Sequence, residues 1–322
     1  LLTTHSVTLT LDGGAVAPVV AGKSHDLRLR STPPAAFGYS TFPTIAEPVT
    51  DVNHTLYSTN WSFWIQPPIT AGGGTWSALN HAPPIGVNQC MLLGDGTVLG
   101  MNGDGRCCRL TPDSSGSYRN GTWTQILSMN KSRMFYASAL LTNGNVFVAG
   151  GEYGAGRRHA ELFDPLNNIW TKIPDPIPGP AFSDAIGKIL HNGNMLVAPV
   201  SQFGGNVIYN VVSNNWQPAA STHNQNEVAW VKMQNDCILT IDTGAQTSEH
   251  YVPSLDQWIM DGDVPVPVYG YGAEIGAGFL LPDGNVFYIG GNSNTAIYTP
   301  GPTPTSAGSW VAGPPMVFGA NQ

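Results

Sequence analysis

The chain is short of charge. Of its 322 residues, 11% are Asp, Glu, Lys or Arg, against about 25% in an ordinary globular domain. Lysine and arginine together number 13, the formal net charge is -8, and no basic run occurs. A chain without a basic face is a poor partner for a polyanion, so nucleic acid is not expected. Long apolar runs are missing too. None approaches the roughly 20 residues that cross a bilayer as a helix, so no membrane span is expected. The opening LLTTHSVTLTLDGG has neither the basic start nor the long apolar core of a signal peptide, and reads as a mature or trimmed start.

Metal-binding and nucleophile motifs are absent as well. The four cysteines, Cys90, Cys107, Cys108 and Cys237, contain no CxxC and no Cys/His zinc spacing. Cys107 and Cys108 are adjacent: they form either a strained vicinal disulfide or two half-buried free thiols. The eight histidines make neither HxH nor HExxH, and no GxSxG, P-loop or dinucleotide fingerprint stands in its proper context. No cofactor is expected from these patterns.

What is present is glycine (38), proline (26) and tryptophan (9) on an apolar content of 42%. That apolar content is ordinary, so the low charge does not signal disorder, and the mixture reads as many short strands joined by tight turns. Sequons at Asn53, Asn60, Asn120 and Asn130 permit glycosylation. The low lysine content and an uncharged polar surface point to an extracellular, secreted protein.

One layout recurs five times. An apolar run meets a turn dipeptide beginning at Asp95, Asn143, Asn192, Asn235 or Asp283; a second apolar run follows, then a third segment and a tryptophan. The closing tryptophans are Trp123, Trp170, Trp216, Trp258 and Trp310, separated by 47, 46, 42 and 52 residues. The dipeptides supply the positive φ of a hairpin between strands one and two. Gly150-Gly151 and Gly290-Gly291 let the chain bend where strand two ends, although the third and fourth copies lack this pair. The tryptophan opens strand four, where its ring covers the neighbouring sheet. A four-stranded unit of about 40–50 residues is the blade of a β-propeller.

The turn, glycine pair and tryptophan in register resemble the kelch repeat over residues 76–322. The resemblance implies an all-β propeller of four-stranded blades. Residues 55–79, closing on Trp76, look like the outer half of a further blade. The expectation is therefore six blades, with seven as the alternative, over residues 55–322, preceded by an N-terminal strand or linker segment, 1–54. GPPMVFGANQ begins where another first strand belongs. The ring is then closed by terminal strands, or left incomplete and completed by a neighbouring chain.

Kelch blades also resemble those of galactose oxidase and glyoxal oxidase. That likeness implies a copper-radical cysteine and tyrosine nine residues before the turn glycine of consecutive blades. Those positions hold Val87 and Phe135; Cys90 and Tyr136 are nearby but out of register, and the family's C-terminal histidine ligands would lie beyond Gln322. The same register places Asp184 in the third blade and Glu227 in the fourth, with Glu274 one residue off in the fifth. Carboxylates gathered at one face can bind a cation or sugar hydroxyls, and Asp184 with Glu227 can serve as a catalytic acid–base pair. Arg133, Arg157, Arg158 and Tyr271 join them as candidate ligand-binding residues. His223, four residues before Glu227, is the one histidine singled out for metal or proton work, although no metal site follows from spacing. These residues are expected in loops sharing one face, the entrance face.

The reading is a binding module that recognises a glycan or an extracellular protein. The alternatives are a polysaccharide hydrolase or lyase, a copper or other metal oxidoreductase, and a structural subunit assembling through its terminal strands.

Overall fold

The computed structural model describes residues 76–317 apart from 177–183, 200–204, 222, 224, 226, 243 and 271–273, together with two short strands near the N-terminus. Those two, β1 (Thr10–Leu11) and β2 (Leu27–Arg28), pair antiparallel. The chain divides into residues 1–76 and 77–322, and every other strand belongs to the second unit. No helix occurs among the described residues.

The second unit contains five four-stranded antiparallel sheets, each built from consecutive strands. Blade 1 is β3 (Gln89–Leu92), β4 (Val98–Met101), β5 (Cys107–Thr111) and β6 (Thr122–Ile126). Blade 2 is β7 (Ala137–Leu140), β8 (Val146–Ala149), β9 (Ala160–Asp164) and β10 (Ile169–Ile173). Blade 3 comprises β11 (Ala185–Ile189), β12 (Met195–Pro199), β13 (Val207–Asn210) and β14 (Asn215–Pro218). Blade 4 comprises β15 (Val231–Lys232), β16 (Ile238–Ile241), β17 (Ser248–Val252) and β18 (Gln257–Met260). Blade 5 is β19 (Ile275–Leu280), β20 (Val286–Gly290), β21 (Thr295–Thr299) and β22 (Ser309–Ala312). The five sheets coincide with the five sequence repeats and have the four-stranded antiparallel form of kelch-type propeller blades. The half blade expected over 55–79 lies almost wholly outside the described residues, as does most of segment 1–54.

The inner hairpins share one construction. Gly96, Gly144, Gly193 and Gly284 have φ between 81° and 89°, and Asp236 takes the same place in blade 4 at φ 68°. The residue before each apex accepts a backbone N–H two residues on, for example Thr97 N to Asp95 Oδ1 and Cys237 N to Asn235 Oδ1. Thus the Asx side chain closes the turn and the next residue supplies the left-handed conformation. At Gly151, φ is 110°, and a Cβ would stand 2.7 Å from the Met134 carbonyl oxygen. Gly291 needs glycine for space rather than for φ, since a Cβ there would collide with the Glu274 carbonyl.

The core consists of layers between blades. Leu99 and Met101 of blade 1 pack with Val146 and Val148 of blade 2; Phe147 and Ala149 of blade 2 pack with Met195 and Val197 of blade 3. Leu196 and Ala198 then meet Trp230 and Ile238, and Leu239 and Ile241 meet Val286 and Tyr288. Inner strands buried on both faces explain why strand-two sequences such as VFVA, and ILTI apart from Thr240, are apolar rather than alternating.

The tryptophans tie blades together. Trp170 Nε1 donates to Leu127 O, Trp216 Nε1 to Pro174 O and Trp258 Nε1 to Ala220 O, in each case the exit of the preceding blade. Each ring also packs on its strand-three partner, as Trp170 does on Phe163 with centroids 4.9 Å apart. A tryptophan here anchors a blade to its neighbour through both ends of the indole.

Candidate functional site: the entrance face

The loops before strand one and after strand two meet on one face, as the repeat implies. In blade 2 Met134 and Glu152 exchange backbone hydrogen bonds of 3.0 and 2.7 Å. In blade 5 Gly270 N donates to Glu274 O and Gly291 N to Val268 O, both at 2.8 Å.

Strand one of blades 2, 3 and 4 is entered through the same conformation. Phe135, Asp184 and Glu227, each nine residues before the hairpin apex, have φ of 51°, 41° and 56°. Left-handed backbone at a non-glycine residue costs about 1–3 kcal/mol where the surroundings enforce it. Here the enforcing contacts run from blade to blade: Phe135 O accepts from Ala185 N at 3.1 Å, and Glu227 O accepts from Ile275 N at 3.3 Å. A repeated, strained entry holds these side chains at fixed places along the mouth.

Four carboxylates gather there, one from each of blades 2 to 5: Glu152, Asp184, Glu227 and Glu274, all half-buried. Burial, then the negative charges of Glu152 and Glu227 and a hydrogen bond with Glu152, push the Asp184 carboxyl up to about 7; Arg157 pulls the other way. Glu227 is raised by burial and then by Glu274 and Glu152. Burial and the like charges beside it thus keep the Asp184 carboxyl partly protonated near neutrality. The exposed phenol of Tyr153 is raised by its hydrogen bond to Glu152 and by the same charges. Its ring meets that of Phe135 edge-on, centroids 6.0 Å apart, and both are exposed. Beside Phe135 a cleft of about 290 Å³ opens between blades 1 and 2, lined by Asn88, Gln89, Met101, Gly103 and Tyr136 among others.

The structure thus brings Asp184, Glu227, Glu274 and Arg157 together, and adds Glu152, Tyr153 and Phe135. Sequence reasoning passed over Glu152 as a site residue because it follows strand two rather than occupying the repeated register; its signal was its place directly after Gly150-Gly151. Arg158 is exposed. Tyr271 lies outside the described residues. Arg133 is fully buried, at the base of the cleft between blades 1 and 2. Its guanidinium donates to the carbonyls of Gly150 and His159, both at 2.8 Å, and pairs with the buried Glu161 carboxylate. Glu161 also accepts from the backbone and side-chain nitrogens of Asn130, at 2.8 and 2.7 Å. The Asn130 amide, at an exposed residue, is therefore already hydrogen-bonded to Glu161.

The cysteines are free thiols, with Cys107 and Cys108 both fully buried rather than half-buried. Burial pushes the Cys107 thiol up to about 12 and the Cys108 thiol up to about 11. Cys90 is an exposed residue of β3, and the Tyr136 hydroxyl lies 3.4 Å from Met101 Sδ.

His223, in the connection from blade 3 to blade 4, has the strongest metal-ligand surroundings among the described residues. Its Nδ1 lies 3.2 Å from Glu249 Oε1 and 3.7 Å from Asp242 Oδ2, and the three donors lie within 4.8 Å of one another. Both carboxylates are buried, whereas the imidazole is 60% exposed.

Comparison with known proteins agrees with the blades. The family model for the Kelch motif matches residues 133–177, which include all of blade 2. Kelch-like protein 23 of Mus musculus is 28% identical over 181 residues, covering 53% of this chain and 30% of its own length. The Homo sapiens protein of that name matches to the same extent, and that of Pongo abelii is 28% identical over 146 residues, 42% of this chain and 25% of its own. The chain thus spans less than a third of the length of these relatives. No helix among the described residues is long and apolar enough to cross a membrane.

Proposed function

Because the chain is built of kelch repeats, we propose that it is a recognition module that binds a protein partner through its entrance face. The observation that carries this reading is the convergence of Glu152, Asp184, Glu227 and Glu274 from four consecutive blades beside the exposed pair Phe135 and Tyr153. Rigid aromatics give contact area at low entropic cost, and a cluster of carboxylates selects a cationic side chain. The partner segment is accordingly one that presents lysine or arginine to the mouth. An extracellular setting belongs to the same reading, supported by the low content of charge and by the exposed sequon at Asn120.

A glycan ligand is the second reading, and the edge-on Phe135–Tyr153 pair beside carboxylates favours it. Aromatic faces stack on sugar rings while acidic oxygens accept their hydroxyls. If such a ligand is cleaved, Asp184, held partly protonated near neutrality, is the acid and Glu227 its partner.

One experiment separates these readings. The wild type and the Asp184→Asn/Glu227→Gln double variant are applied to an array of lysine- and arginine-bearing peptides and to a glycan array, and bound sugars are checked for cleavage. Peptide binding that falls at least tenfold in the variant supports the proposal. Glycan binding lost in the variant replaces it with the second reading, and binding that both proteins share removes the mouth from consideration.

A further inference from the structure

Glu161 and Glu249 occupy one place in two blades. Glu161 lies opposite Val148, the fourth residue after Gly144, and Glu249 lies opposite Thr240, the fourth after Asp236. Eleven residues before these apices stand Arg133 and Gln225. Blade 1 carries an uncharged pair at the two places, Ile85 with Cys108, and blades 3 and 5 carry Val207 and Ala296 at the glutamate's place. Among the described residues a buried carboxylate therefore occupies this place only in blades 2 and 4, and the two blades meet it differently.

In blade 2 a buried guanidinium stands against the glutamate. In blade 4 the corresponding Gln225 is a neutral amide, whose Oε1 accepts from Trp230 Nε1 at 2.7 Å and Thr240 Oγ1 at 2.9 Å. A second carboxylate, Asp242, then joins Glu249, so that two acidic groups only 3–4% exposed share one small volume. Asp242 Oδ2 accepts from Thr247 Oγ1 at 2.7 Å, while its Oδ1 is buried with no hydrogen-bond partner among the described residues. A buried carboxylate oxygen left in this state costs stability unless a donor or a cation meets it. The basic group at hand is the half-solvated imidazole of His223, which faces the other Asp242 oxygen, Oδ2, and whose backbone N–H donates to Glu249 Oε1 at 3.1 Å.

The spacing fits a metal. Two donors about 2.05 Å from a tetrahedral zinc ion stand about 3.4 Å apart, and the His223 nitrogen is 3.2 and 3.7 Å from the two carboxylate oxygens. Imidazole as a ligand favours the zinc class over calcium and magnesium, which take oxygen donors. The exposed side of His223 gives an ion a path in and leaves a fourth position to solvent.

We propose that His223, Asp242 and Glu249 form a site for one divalent transition-metal ion of the zinc class, which fastens the blade 3–4 connection to blade 4. The site is separate from the partner-binding reading of the mouth. Titration calorimetry of the full chain with zinc chloride tests it, alongside thermal unfolding with and without zinc. Wild type is expected to bind one equivalent and to unfold at a higher temperature with zinc. His223→Ala and Asp242→Asn weaken binding at least tenfold and abolish the shift. His191→Ala, at an exposed histidine of another hairpin, changes neither. His223 lies at the surface, so its variant folds even where Asp242→Asn does not. Absence of a saturable site, or unchanged binding in His223→Ala, overturns the proposal. Tighter binding of calcium than of zinc overturns the assignment of metal class.

Discussion

Blades 2 and 4 have the same four strands, the same Asx-closed hairpin and a glutamate at the same ladder position, yet they treat that glutamate in opposite ways. In blade 2 the charge is neutralised from within the chain: Arg133 reaches Glu161 and the carbonyls of Gly150 and His159, and Asn130 fills the second oxygen. In blade 4 the glutamate faces another carboxylate and a histidine at the surface. Register alone therefore does not decide whether a buried charge is met by a buried cation or by a group at the surface. What decides is the residue eleven positions before the apex, and whether it carries a positive charge.

The comparison breaks most sharply at Arg133. Arg133→Met leaves Glu161 buried without its cation, a loss of about 3–5 kcal/mol, to be read from urea denaturation monitored by tryptophan fluorescence. A loss under about 1 kcal/mol would mean that Asn130 alone satisfies the carboxylate. Blade 4 is expected to be far more tolerant. In metal-free protein, Glu249→Gln removes one of two adjacent acids while keeping an oxygen for the His223 donors, so stability changes by within about 1 kcal/mol. A loss as large as that at Arg133 would make Glu249 a structural charge like Glu161.

The smallest effect sharpens the contrast between buried and water-facing acids. Asp184, at the mouth, is raised to about 7 by burial and by Glu152 and Glu227. Its folded pKa lies above the ordinary carboxyl value, so its contribution to stability is fully present below about 4. That contribution is lost as pH rises through 7, while negative charge at the mouth grows. Between pH 6 and 8 the wild type should become slightly less stable and bind a lysine-bearing peptide severalfold more tightly. Asp184→Asn should flatten both slopes, as thermal unfolding and fluorescence titration across that range would show. An unchanged slope would assign the titration to another acid of the cluster.

Much of this was legible in the chain. Turn dipeptides, apolar runs and tryptophans located all five described blades, because hairpin conformation and strand burial are local demands that particular residues meet. The same register pointed to Asp184 and Glu227, since a repeat fixes which residues enter strand one at equivalent heights. It did not show what Arg133 meets; only the path of β9 brings Glu161 within its reach. His223 stood out by elimination, but its partners Asp242 and Glu249 are 19 and 26 residues further on, and no spacing motif joins them.

The sequence by itself thus determined the repeating unit: a closed hairpin, two outer strands and an indole that, in blades 2 to 5, anchors the blade to the one before. Those are short-range requirements of backbone conformation and of burying apolar faces between sheets. Which charges meet was decided by tertiary structure. Blade stacking brings loops separated by tens of residues to one face, and the energy of a buried carboxylate depends on what arrives beside it: a guanidinium in blade 2, an acid and an imidazole in blade 4, and three like charges at the mouth.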